Sequence, residues 1–142
     1  APGEIAETGS LPTPLDDFNA FAGAISTLIT RAIHPVKGVA ISTTGVVDPA
    51  TGRLTCANIP CIHGRTLAAD LSKALWLPVF IANDADCFAL AEALEGAGRG
   101  HRVVFGIILG SGVGGGLVID GRIVTGAGGY AGNCQGVRPA GG

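Results

Sequence analysis

Two stretches of this chain carry groups suited to chemistry. Asn83 and Asp84 stand where the apolar run Leu77-Pro78-Val79-Phe80-Ile81 stops, and from Asp84 onward Cys87, Leu90, Ala91 and Leu94 recur at helical spacing. A carboxylate is thereby set at a helix N-terminus just past the C-terminal end of a strand, where open α/β sheets bind their ligands. Asn and Asp before a helix are also ordinary N-caps, and this stretch alone is accounted for by either role. The second stretch is Leu109-Gly110-Ser111-Gly112-Val113-Gly114-Gly115-Gly116. It satisfies G-x-G-x-x-G literally, but it feeds the strand-like Leu117-Val118-Ile119 instead of a helix, and no Gly-Lys-Ser or Gly-Lys-Thr follows. It is therefore neither a dinucleotide fingerprint nor a Walker loop. What remains is a glycine hairpin whose backbone N–H groups, with the Ser111 hydroxyl, could approach phosphate oxygens, or one that simply packs closely against another backbone. An Asp at a strand end combined with a phosphate turn suggests phosphoryl transfer.

The elements that must position these groups alternate strand and helix up to about residue 100. Glu4 to Ser10 reads as a weak strand. After Pro12-Thr13-Pro14, the residues Leu15, Phe18, Ala22, Ile25, Leu28, Ile29 and Ile33 mark one buried helical face, with Asp16 and Asp17 in the first turn, and His34-Pro35 ends it. Val39, Ala40 and Ile41 form a buried strand that runs into the polar tip Ser42-Thr43-Thr44-Gly45. A long connection from Val46 to Arg65 contains the turn Asp48-Pro49-Ala50-Thr51-Gly52 and the loop residue Asn58, and connections of that length are usually functional or mobile. Thr66 caps a short helix with Leu67, Leu71 and Leu75 on one face. Gly96-Ala97-Gly98-Arg99-Gly100 is the candidate boundary, dividing an α/β unit at 1–100 from a second unit at 101–142. Beyond it, Val103 to Leu109, Leu117 to Ile119 and Arg122 to Val124 form an antiparallel meander, the last two joined by Asp120-Gly121.

Composition narrows the partners. With 142 residues and 47% hydrophobic content the chain can bury a core, and its net charge of −2 offers no basic stripe for a nucleic-acid backbone. No apolar run is long enough for a membrane span and the first residues do not resemble a signal peptide, so a cytoplasmic protein with a small-molecule partner is expected. Cys56, Cys61, Cys87 and Cys134 form no C-x-x-C pair, and His34, His63 and His101 are scattered, so no metal site is expected. The chain has no Met and opens as if inside a hairpin, so it is expected to be a piece of something longer.

Asn83-Asp84-Ala85, the glycine stretch from Leu109 to Gly116, and Thr125-Gly126-Ala127-Gly128-Gly129-Tyr130-Ala131-Gly132, in this order, resemble the ROK (repressor, open reading frame, kinase) family of sugar kinases and regulators. Ala57-Asn58-Ile59-Pro60 and the run from Asn83 to Leu90 look most like its bacterial N-acetylglucosamine kinases. The resemblance implies an incomplete actin-like ATPase (ribonuclease H-like) α/β fold, comprising most of the N-terminal domain and the first hairpin region of the C-terminal one. It implies ATP-dependent phosphorylation of the 6-hydroxyl of an amino sugar, with a sugar-responsive regulator or an inactive kinase fragment as alternatives. By resemblance Asp84 is the catalytic base and Asn83 binds sugar hydroxyls, with Thr44, Gly45, Asn58, Gly129 and Asn133 also on the sugar side. Ordinary loop polarity explains Thr44, Gly45 and Asn58 equally well. Gly110, Ser111, Gly112 and Gly114 would face the phosphates of ATP. ATP and Mg2+ are the implied cofactors, the parent protein is implied to be a homodimer, and any zinc would have its ligands outside these residues. The chain departs from the family pattern in two places. It has no Asp-x-Gly-Gly-Thr loop, and Asn133 and Gly136 stand where the family carries Glu and His.

Overall fold

The computed structural model describes residues 5–110 and 112–132. Helix α1 (Phe18–Thr30) begins where the Asp17 carboxylate accepts the N–H groups of Asn19 at 2.8 Å and Ala20 at 3.3 Å. Asp17 is therefore the cap and lies outside the first turn, and the helix starts later than the apolar spacing suggests. It also ends at Thr30, well before Pro35. Leu15 and Ile33 consequently fall off the buried face, Ile33 being 83% exposed, while Phe21 and Ala22 are buried. Residues 5–10 form no strand.

Strand β1 (Val39–Thr43) pairs in parallel with β4 (Val79–Asn83), in a register that runs from Val39 opposite Val79 to Thr43 opposite Asn83. A parallel pair needs a long crossover, here supplied by the short hairpin β2 (Val46–Val47) and β3 (Leu54–Thr55), a 3-10 turn at Pro60–Ile62, and α2 (Leu67–Leu75). The connection expected as a long loop is thus structured, and several side chains staple it. Arg65 stacks its guanidinium 4.1 Å over the Phe18 ring, donates from Nε to the Cys61 carbonyl at 3.0 Å, and pairs with Asp70 at 3.2 Å. His63 Nδ1 lies 3.2 Å from the Cys56 nitrogen and 3.0 Å from the Cys56 carbonyl oxygen, closing the loop between them. Beneath these ties Leu54, Ile62, Leu67 and Leu71 are almost wholly buried and form the core with Phe21, Ala22, Cys56 and Val79.

Helix α3 (Asp84–Leu94) follows β4 directly and lies across the meander of β5 (Val103–Leu109), β6 (Val113–Ile119) and β7 (Arg122–Ile123). The turn between β6 and β7 places Asp120 at φ 50° and Gly121 at φ 72°, the two left-handed residues that a tight hairpin requires. The apolar spacing marks Cys87, Leu90, Ala91 and Leu94 as the buried face of α3, but the residues actually buried are Ala85 and Ala89. The cause is the sheet beneath. Gly106, Gly114 and Gly116 let the helix approach so closely that only methyl groups fit between the backbones. On the other face of β5, Val103, Phe105, Ile107 and Leu109 point away from α3 and are about half exposed or more. No helix among the described residues is long and apolar enough to cross a membrane.

Candidate functional site at the strand ends

The parallel register brings the C-terminal ends of β1 and β4 flush, with Thr43 and Asn83 side by side and both buried. Asn83 then caps α3. Its Oδ1 accepts from the N–H groups of Ala85 at 2.9 Å and Asp86 at 3.3 Å, and its Nδ2 donates to the Gly45 carbonyl at 2.6 Å. Gly45 is buried at φ 97°, against the Thr55 carbonyl and 3.0 Å, measured from where a Cβ would stand, from the Cβ of Cys56. A side chain has no room there and the backbone conformation is one that glycine adopts freely. Thr44, the other turn residue, is half-buried and borders an open cleft of about 950 Å³ between α1 and β1. That cleft is lined mainly by aliphatic side chains and includes neither Asn83 nor Asp84, so it is not where a polar substrate would meet the carboxylate.

Asp84 is the first residue of α3, partly buried, and its Oδ1 lies 2.9 Å from the Ala85 nitrogen, an N–H shared with Asn83. Anions are favoured at this end of a helix by the orphan N–H groups and the dipole. A second carboxylate, Asp86, sits two residues on. Burial pushes the Asp86 carboxyl above the ordinary value of 3.8, and the charge of Asp84 adds to the rise. A carboxyl whose pKa is raised by folding stabilises the fold in its protonated form. Its contribution is complete below the unfolded value and is lost as pH climbs through the folded one. Asp86→Asn is therefore expected to melt higher than the parent at pH 7, by a few tenths of a kcal/mol because the group keeps contact with water. The difference should vanish near pH 3, and thermal melts of both forms across that range check it. A gain that is largest at low pH would contradict the assignment.

The glycine stretch reaches the same place from the other sheet. Gly114 is buried, and a Cβ on it would stand 3.2 Å from the Ala85 methyl, so this residue serves packing beneath the base of α3. Two residues further, about 7 Å along an antiparallel strand, the hairpin tip emerges. Gly110 donates its N–H to the Gly112 carbonyl at 3.0 Å, both residues are exposed, and a Cβ on either would meet nothing within 4 Å. The backbone at Gly110 and at Gly112 is open to a ligand. Ser111 lies outside the described residues, as does Asn133.

The segment ending at Gly132 closes the arrangement. Gly129, at φ 83°, packs against the Val47 carbonyl and the Val46 side chain, while Gly132 packs against Gly116 and Leu117 of β6. It therefore straps the β2 hairpin to the meander. Asn58 is exposed in the loop before Pro60. The structure thus gathers Gly45, Asn83, Asp84 and Gly114 around the start of α3, while Gly129 lies against the β2 hairpin that follows Gly45. The link between Asn83 and Gly45 spans 38 positions and has no spacing signature in the sequence, nor do the staples made by His63 and Arg65.

Comparison with known proteins identifies the family and the fold. The model of the ROK family matches residues 1–136. The chain is 48% identical over 117 residues to an N-acetyl-D-glucosamine kinase of Erwinia tasmaniensis, covering 80% of this chain and 39% of that protein. It is 44% identical over 125 residues to the N-acetylgalactosamine kinase AgaK of a Shewanella species, covering 86% of this chain and 40% of that one. Among solved structures, a ROK family glucokinase from Streptomyces griseus in complex with glucose and AMPPNP superposes with a TM-score of 0.80 at 32% identity, over 92% of this chain and 42% of that one. The chain spans about two fifths of the length of these relatives, and its mixed α/β architecture is the corresponding part of the actin-like ATPase fold. The match over nearly the whole chain, with relatives well above 30% identity, shows that the chain belongs to the ROK family.

Proposed function

We propose that the protein is an ATP-dependent sugar kinase that phosphorylates the 6-hydroxyl of an amino sugar, N-acetylglucosamine foremost, and that Asp84 is its base. The observation that carries this reading is that Asp84 is the first residue of α3 and that the next residue, Ala85, packs against Gly114, two residues from the exposed Gly112. In this role Asp84 holds the substrate hydroxyl and takes its proton as the oxygen bonds to the transferred phosphorus. Phosphoryl transfer asks little more of the protein than such positioning and the stabilisation of charge. Residues 1–100 would supply the sugar side, with Thr44, Gly45, Asn58, Asn83 and Asp84, joined by Gly129 and Asn133 from the second unit, and residues 101–142 would also supply the start of the nucleotide side, with Gly110, Ser111 and Gly112.

The exposed Gly110 and Gly112, with open space where a side chain would stand, fit the approach of phosphate oxygens. Among the described residues no three His, Cys, Asp or Glu side chains cluster as a cation site. A Mg2+ carried on nucleotide phosphates needs only one or two protein carboxylates, and the start of α3 carries two, Asp84 and Asp86. When bound, the ion neutralises phosphate charge. The reading carries with it a cytoplasmic protein and a homodimeric parent, with sugar and nucleotide, not nucleic acid, as ligands.

The preference for an acetylated amino sugar rests on the names of the relatives, which include kinases for N-acetyl-D-glucosamine and N-acetylgalactosamine. ADP release with ATP and Mg2+ should be measured over N-acetylglucosamine, N-acetylgalactosamine, N-acetylmannosamine and glucose, on this chain and on the complete gene product that carries it. The highest kcat/KM is expected with N-acetylglucosamine. No turnover of any of the four by the complete gene product would overturn the proposal.

A further inference from the structure

The geometry points to Asn83 as a positioning residue that locks the turn at the end of β1 to the helix bearing Asp84. Its side chain is divided between two structures that lie far apart in the sequence. Oδ1 holds the first N–H groups of α3, and Nδ2 holds the carbonyl of Gly45, 38 residues earlier. The residue is only 8% exposed, so both bonds are sheltered from competing water, and in such surroundings an unpaired polar group is costly. Gly45 cannot readily turn its carbonyl elsewhere. It sits at φ 97° with the Thr55 carbonyl and Cys56 packed against it, so the acceptor is held in place from the hairpin side. Thr43, opposite Asn83 in register, is buried as well, and the turn and the helix start therefore meet over a fixed pair of strand ends.

The consequence rests on the kinase reading above. Thr44, Gly45 and Asp84 move as one body, so a sugar held by the turn is held in a set position relative to the carboxylate. Asparagine is the residue type that can do this. Aspartate keeps the helix cap but has no proton for Gly45, and it would set a second oxygen against that carbonyl. Serine keeps a cap but is too short to reach across. Asn83 thus acts through the turn and through Asp84, whether or not its remaining amide proton also meets the sugar.

The test compares Asn83→Asp with the parent by amide hydrogen exchange without any ligand, followed by steady-state kinetics on the complete gene product. Exchange at Gly45, Val46 and Val47 is expected to quicken at least about tenfold in the variant while residues 87–94 of α3 keep their protection. In the kinetics kcat should fall together with a rise in the sugar KM, because loosened geometry lowers the rate as well as the affinity. Unchanged exchange at Gly45 to Val47 would overturn the inference, as would a rise in KM alone. Should the variant fail to fold, the Asn83 side-chain amide of the unaltered protein provides the second measurement. One of its two protons should exchange at least about tenfold more slowly than that of a free asparagine amide, and equal, fast rates would also overturn the lock. The exchange measurements involve neither sugar nor nucleotide, so a failure of the kinase reading leaves them interpretable.

Discussion

Asp84→Asn is expected to reduce kcat/KM for the amino sugar by about 10²–10⁴-fold, the range over which a positioned proton acceptor contributes. The substitution is chosen because it changes chemistry and little else. The Ala85 N–H that lies 2.9 Å from Asp84 Oδ1 can be accepted equally by an asparagine carbonyl, and Asn83 continues to cap the helix. What is lost is the carboxylate, and with it about 0.3–1 kcal/mol of favourable interaction with the helix N-terminus. A melt should therefore shift only slightly while turnover collapses, most of the loss falling on kcat, since the hydroxyl can still hydrogen-bond the amide. Asp84→Glu separates charge from position. It keeps a carboxylate but carries it one methylene further, and a displacement of about 1 Å from the productive geometry is enough to cost roughly 10²-fold. Activity of Asp84→Asn within threefold of the parent would show that the carboxylate takes no proton, and the base would have to be sought elsewhere.

The strand-to-helix junction at Asn83 and Asp84 was legible in the sequence because it is written locally, as an apolar run broken by polar residues and followed by a helical period. The Asp120-Gly121 hairpin was legible for the same reason, since two left-handed residues leave a distinct dipeptide. Where the reading went astray, the deciding partner was distant. Periodicity alone gave α3 a face of Cys87, Leu90 and Leu94, but the sheet below is floored with glycine and selects Ala85 and Ala89. The start of α1 was displaced by the Asp17 cap, and the end by the exit toward β1, so Ile33 is exposed although it fits the pattern. The connection from Val46 to Arg65 looked like open loop because its order comes from side chains, His63 on Cys56 and Arg65 on Phe18 and Cys61, which a spacing rule does not register. Asn83 shows both sides of this. Its role as a cap is plain from its neighbours, whereas its bond to Gly45 exists only once the two strands lie in register.

Gly116→Ala is expected to lower stability by about 1–3 kcal/mol, the usual cost of forcing an extra methyl into a closed interior, and Gly116→Val by more. A Cβ on Gly116 would stand 2.6 Å from the Ala85 carbonyl oxygen and 2.9 Å from both the Asp86 Cα and the Ala89 methyl. These are backbone atoms and a short side chain, none of which can swing aside, so α3 itself must lift from the sheet. Gly106 makes the same demand on the next turn, where the Cα and Cβ of Ala89 would both be 2.9 Å away. Because Asp84 is the first residue of α3, lifting the helix also moves the carboxylate away from the Gly110–Gly112 tip. The loss of kcat should then exceed what the unfolded fraction explains. Gly112→Ala is the contrasting change. Nothing lies within 4 Å of the Cβ it would add, so its stability should stay within about 0.5 kcal/mol of the parent, and its effect should appear in the KM for ATP as the methyl intrudes on the open backbone. Urea unfolding of the three variants, set beside their kinetics, separates the two kinds of glycine. If Gly116→Ala unfolded within 0.5 kcal/mol of the parent, α3 would not be seated on that seam, and the closeness of helix and sheet would no longer account for where Asp84 stands.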